Sequence, residues 1–198
     1  MMNGNFGPLP LHMQGHEGLG QVINVGKDVF TDVKVGDYVA TRGEPAYADY
    51  YPVKEGEFVI VPEAHPKYII EPVACGINVI QGDIAELDGR ILRKDNAKIL
   101  IIGSGFLAYV AYRTLKLNGI ECLVDVVGSS NKDIWNNEGV TLLSEPGVGY
   151  EVVVVLKDNH NWLEKSDIVN NNALIIDAVG RSISKQESEN LLWKSATT

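Results

Sequence analysis

Two kinds of apolar pattern divide the sequence. Between residues 20 and 62 the apolar positions come in short groups broken by turn residues: Val22, Ile23 and Val25 end at Gly26, VKVGDYVA carries Gly36-Asp37, and FVIVPE follows Glu55-Gly56. Runs punctuated this way read as strands joined by tight turns, so this part is expected to form a small all-β unit. From about residue 71 the pattern changes. Pro72 suits the first turn of a helix through VACGINVIQ, because its missing N–H is one that a helix start leaves unbonded anyway. AKILIIG then reads as a continuous apolar strand. Strands and helical stretches alternate thereafter: KILIIG, FLAYVAYRTLKLNG, ECLVDVVG, a polar segment, VTLL, YEVVVVL, a polar helical segment and ALIIDAVG. Strands that are apolar on both faces and separated by helices predict a parallel sheet covered on both sides. The boundary between the two units falls near residues 66 to 72, and VNNNA reads as a turn before the last of these strands.

Composition narrows the partners. The chain has 198 residues and a formal net charge of -9, with no dense Lys/Arg stripe. Nucleic acid and anionic membranes both demand a local positive field, so neither is expected and a small molecule is. No apolar run approaches the roughly 18 residues of a membrane span, and the opening MMNGNFGPLPLHM has no basic flank followed by an apolar core. Cys75 and Cys122, the only cysteines, each sit among apolar neighbours. They suit buried thiols in a reducing compartment, and a cytoplasmic location is the expectation.

Gly103-Ser104-Gly105-Phe106-Leu107-Ala108 is a GxGxxA element that follows the strand KILIIG and opens a helix. In that setting the first glycine turns tightly, the second lets backbone approach a pyrophosphate, and a small third residue lets the helix pack closely on the strand. The helix start then offers free N–H groups and a positive dipole end to the anion. The ribose of such a cofactor is normally held by an acidic residue about 20 residues further on. Asp125 has that separation, but the apolar run continues to Val127 before breaking at Gly128-Ser129-Ser130-Asn131-Lys132. Two sites therefore remain open: Asp125 for a bare 2′-hydroxyl of NAD, or Ser129 and Ser130 with the nearby lysine for the 2′-phosphate of NADP, towards which the loop chemistry leans. Asp125 would in the second case be a carboxylate held by local donors.

GHEGLGQVINVGKDV, residues 15 to 29, has a spacing of glycines around His16 and Glu17 that resembles the signature of zinc-containing medium-chain alcohol dehydrogenases. VKVGDYV and PAYADYYPV resemble the segments that follow it in that family, and the glycine loop comes at a familiar distance. The resemblance implies an α/β chain with a partial GroES-like β domain over residues 1–70, then a Rossmann-type doubly wound parallel sheet over 71–198. It implies His16 as a zinc ligand and Glu17 beside the metal as a supporting catalytic residue. Glu71, in EPVACGINVI, matches the glutamate ligand of the polyol branch, and it equally suits a helix start as a favourable charge. His12, His65 and His160 match no ligand position.

Relative to that family the chain is expected to be abbreviated at both ends. The first zinc cysteine and a proton-relaying hydroxyl would precede residue 1, and the sixth strand of the parallel sheet would follow the last residue, so the polypeptide would hold zinc poorly alone. The function implied is zinc-dependent, NAD(P)-linked interconversion of an alcohol, such as a polyol or sugar, and its carbonyl, by a homo-oligomer. The alternatives are a non-catalytic dinucleotide-binding module and a zinc-free reductase of the quinone-reductase type.

Overall fold

A computed structural model describes residues 15–43, 45–91, 96–157, 162, 167–179 and 192–195. The chain divides into two units, Met1–Ala74 and Cys75–Thr198.

The first unit carries an antiparallel sheet of β1 (Glu17–Gln21), β2 (Tyr38–Arg42) and β3 (Phe58–Val61), in that spatial order. Val39, Ala40, Thr41 and Val61 are its buried side chains. The first strand is not the apolar Val22–Val25 stretch that the pattern suggests but the glycine-bearing EGLGQ before it, and Ile23 lies largely exposed. Glycine normally weakens a strand; here it is required by a close approach. A Cβ at Gly18 would lie 1.8 Å from the Tyr51 hydroxyl and 2.3 Å from that of Thr41, two groups that are hydrogen-bonded to each other at 2.7 Å.

Helix α1 (Glu71–Gln81) begins at the end of this unit and continues into the second. There follow α2 (Ile84–Ile91), β4 (Lys98–Ile102), α3 (Phe106–Leu117), β5 (Leu123–Val127), α4 (Lys132–Asn137), β6 (Leu142–Leu143), β7 (Tyr150–Val155), β8 (Val169–Asp177) and β9 (Leu192–Ser195). Every neighbouring pair runs parallel, in the order β6-β5-β4-β7-β8-β9. The chain therefore winds outward from β4 in one direction and resumes from β7 in the other, the doubly wound order of dinucleotide-binding sheets. One face of the sheet, through Ile99, Ile101, Val126, Val152 and Ile176, packs on Leu87, Ala108, Ala111, Tyr112, Leu115 and Trp135 of the helices. The other, through Leu100, Ile102, Val153 and Ile175, packs with Ile168 and Tyr150. Both faces are thus buried, and for this reason β7 is apolar at five of its six positions.

Further features depart from the expectation. The sixth strand lies within the chain, with β9 pairing from Leu174↔Leu192 to Asp177↔Ser195; its four residues end a polar stretch and carry too short a pattern to mark a strand. VNNN is not a turn before β8 but its first half, with the register shifting between Tyr150 and Val152 on β7 and with Asn172 at φ 63, a conformation asparagine tolerates. Helix α2 had no counterpart in the pattern reading. Neither cysteine is in a disulfide and both are half-buried rather than enclosed; burial pushes the Cys122 thiol up, against a smaller opposing effect of Lys116. Among the described residues no helix is long and apolar enough to cross a membrane.

Candidate functional site

In the first unit the chain enters β1 through a left-handed Gly15, φ 87, whose missing Cβ leaves room for the Tyr47 ring, 2.7 Å from where that atom would lie. The turn is fixed by backbone bonds from Ala46 N–H to the Gly15 carbonyl, 2.8 Å, and from Gly43 N–H to the His16 carbonyl, 3.3 Å. His16 is thereby held at the head of the strand, with Glu17 the strand's first residue. Glu71 is the first residue of α1 and is only 7% exposed. Its Oε2 lies 3.7 Å from His16 Nε2. That separation is too long for a hydrogen bond, and close to the roughly 3.4 Å between two ligands that each sit about 2.1 Å from a tetrahedral zinc. His16, Glu17 and Glu71 each offer a ligand atom, all within 4.8 Å of one another. Imidazole nitrogen and carboxylate oxygens suit Zn²⁺. The three residues that the sequence singled out for metal chemistry are therefore brought together. His65 instead caps a short 3₁₀ turn, its Nδ1 accepting from Lys67 N–H at 3.1 Å. His12 and His160 lie outside the described residues.

In the second unit the glycine turn sits at the carboxyl end of the central strand β4. Gly103 has φ 119 and its N–H bonds the Val127 carbonyl at 2.9 Å, tying this turn to the end of β5. Gly105 is the N-cap of α3, without a side-chain cap, and a Cβ there would meet nothing within 4 Å. The start of α3 therefore has no side-chain cap and has open space beside its N-cap residue, which suits an approaching anion. Phe106 and Leu107 form the first turn of α3, Phe106 half exposed, and the small Ala108 is buried against the sheet.

Ser104, 3% exposed, links this turn to the next. Its Oγ accepts from Ser130 N–H at 2.9 Å and lies 2.9 Å from Ser130 Oγ. Its carbonyl accepts from Trp135 Nε1 at 3.0 Å and from Asn131 Nδ2 at 3.2 Å. Trp135, fully buried, meets Tyr109 and Tyr112 edge-on, with centroids 5.7 and 5.5 Å away. Gly128 completes the contact, since a Cβ there would lie 2.3 Å from Ser104 Oγ. Ser129 and Ser130 are exposed at the end of β5, beside the glycine turn. The sequence reading found these serines but not Asn131 and Trp135, whose link to Ser104 follows no local spacing; the glycine at 128 was the one available signal of a close approach.

Asp125 is placed elsewhere. It lies two residues before the end of β5, in register with Leu100, which pairs with Val153. Its carboxylate accepts from the hydroxyl of Tyr150, 2.6 Å, three positions earlier on β7. The side chain therefore leans towards the amino edge of the sheet, away from the glycine turn. Burial, and then the bond to Asp125, push the Tyr150 phenol far above its ordinary range, so it stays a donor.

No protein-family model and no curated protein matches the sequence. Solved structures do match the fold. The alcohol dehydrogenase from the hyperthermophilic archaeon Aeropyrum pernix superposes with a TM-score of 0.69 at 14% identity, over 92% of this chain and 67% of its own. Haloferax mediterranei glucose dehydrogenase, solved with NADP, Zn and gluconolactone, gives 0.61 at 14%, over 92% and 68%. CurK enoyl reductase gives 0.65 at 15%, over 89% and 58%. The chain spans 58 to 68% of the length of these three structures. At such identities the likeness establishes the fold: a partial GroES-like sheet followed by a Rossmann-type sheet.

Proposed function

We propose that this chain is part of an NAD(P)-linked oxidoreductase of the medium-chain dehydrogenase/reductase superfamily, acting on an alcohol, sugar or polyol and its carbonyl with the help of zinc. The observation that carries the reading is the uncapped start of α3 at Gly105, open to an anion at the carboxyl edge of β4, where dinucleotide pyrophosphates bind in sheets of this order. The backbone from Gly103 to Leu107 would hold the pyrophosphate, and Ser129 and Ser130 the ribose. With Asp125 bonded to Tyr150, the ribose loop offers hydroxyls rather than a carboxylate, which favours NADP over NAD.

His16 and Glu71 would hold the metal and Glu17 would stand beside it. When bound, zinc supplies Lewis acidity towards an alcohol or carbonyl oxygen and the nicotinamide supplies hydride exchange. The chain's own part is to keep His16 and Glu71 oriented before any ligand arrives: His16 by the backbone bonds around Gly15, and Glu71 by its burial at the head of α1.

Equilibrium dialysis against zinc tests the metal half of the reading. The wild-type chain is expected to retain more zinc than His16→Ala or Glu71→Gln, each checked for folding; equal retention by all three would remove zinc from the account. A second reading, zinc-free reduction of an activated alkene or quinone, draws support from the likeness to an enoyl reductase. It requires nicotinamide-dependent turnover that survives chelation.

A further inference from the structure

We infer that Ser104 sets the hydrogen-bonding polarity of the ribose loop, so that Ser130 faces a ligand as a donor and thereby recognises a 2′-phosphate. This rests on the dinucleotide reading of the glycine turn given above.

The inference comes from counting hydrogens. A hydroxyl has one hydrogen to give and can accept through its lone pairs. Ser104 Oγ already accepts from the backbone N–H of Ser130, and its other partner among the described residues is Ser130 Oγ. Ser104 is 3% exposed, so its hydrogen cannot turn to water, and a buried donor left unmatched is costly. The hydrogen of Ser104 therefore goes to Ser130 Oγ. Ser130 then accepts inside the protein and keeps its own hydrogen for the outside, where its side chain is exposed.

That polarity matters because the two ribose forms ask for opposite partners. A 2′-hydroxyl is held in NAD sites by an acceptor, a carboxylate. A 2′-phosphate presents only strong acceptor oxygens near neutral pH and needs donors. The relay satisfies Ser130 from within and aims its hydrogen outward, and Asp125, bonded to Tyr150, brings no carboxylate to this loop. Ser104 has little freedom to rearrange: Trp135 and Asn131 hold its carbonyl, and its hydroxyl occupies the space that a side chain at position 128 would fill. Ser104 is thus a positioning residue that acts through Ser130.

Calorimetry on the full chain with 2′,5′-ADP and 5′-AMP tests this, since the two probes differ by the 2′-phosphate. The wild type should bind 2′,5′-ADP more tightly. Ser104→Ala should narrow that preference severalfold, because Ser130 keeps its hydrogen but loses the partner that aims it, and the loss of 2′,5′-ADP affinity should exceed any loss of 5′-AMP affinity. Ser130→Ala, at an exposed position that should leave folding intact, removes the donor itself and should narrow it further, about tenfold, the size of a hydrogen bond to a charged group, and the double variant should lose nothing beyond Ser130→Ala alone. Equal weakening of both probes by Ser104→Ala, additive losses in the double variant, or an unchanged preference in Ser130→Ala would each overturn the relay. A wild type that binds both probes alike overturns the relay and leaves the dinucleotide reading standing. Binding of neither probe brings down both.

Discussion

Gly105→Val separates a binding role from a structural one. Gly105 has φ −78 and ψ −171, extended backbone that valine adopts readily, and a Cβ there meets nothing within 4 Å. The folding cost is confined to a poorer helix N-cap, about 0.5–1 kcal/mol for glycine replaced by an aliphatic residue. In a unit of this size that lowers the melting temperature by a few degrees. The added isopropyl group would stand in the space that a pyrophosphate must enter to reach the first N–H groups of α3. Losing even part of that approach should weaken NADPH binding by more than tenfold, over about 1.4 kcal/mol. Gly103→Val is the control. Gly103 sits at φ 119, with Lys157 and Leu156 atoms 3.4–3.5 Å from where a Cβ would lie, so this variant should lose stability first and binding only as a consequence. Thermal melts paired with nicotinamide fluorescence titration read both quantities. A folded Gly105→Val with wild-type NADPH affinity would show that the pyrophosphate does not bind at this turn.

Ser129→Glu should repel a 2′-phosphate and shift preference from NADPH towards NADH; an unchanged ratio in competitive titrations would move the ribose site off this loop. Asp125→Asn should cost on the order of 1 kcal/mol through its bond to Tyr150, yet leave NADH affinity within twofold, and a large loss of NADH binding in a folded variant would restore Asp125 as the ribose anchor. Gly18→Ala should displace the Tyr51 hydroxyl and break its bond to Thr41, costing about 1–2 kcal/mol by denaturant titration; an unaltered midpoint would mean that the strand yields instead.

The parallel sheet was legible because burial on both faces leaves unbroken apolar runs, as in ILII and VVVV. The β1 strand was hidden because its reason for being a strand, the passage of Gly18 over Tyr51 and Thr41, lies in residues far along the chain. The same holds for β9, whose pairing is a property of β8 rather than of its own four residues. Of the site, the glycine turn and the His16, Glu17 and Glu71 group could be read from spacing and resemblance. What could not be read was the engagement of Asp125, because a carboxylate in a strand looks the same whether a tyrosine or a ribose meets it. The Ser104 linkage was hidden likewise, being built by a carbonyl and an indole 31 residues apart.

The winding order of the second unit also sets a sequence of events when the chain folds. Bringing β5 beside β4 closes a short loop, whereas β7 must find the other side of β4 from about twice as far along the chain. Each doubling of loop length adds roughly 0.6 kcal/mol of closure entropy, so β4, α3 and β5 should assemble first. The Trp135 indole, on α4 directly after β5, bonds the Ser104 carbonyl and so ties α4 to the turn between β4 and α3 within this same stretch of chain. In a variant with Trp135 as its sole tryptophan, in place of the three of this chain, the change in emission should therefore precede the pairing of the outer strands.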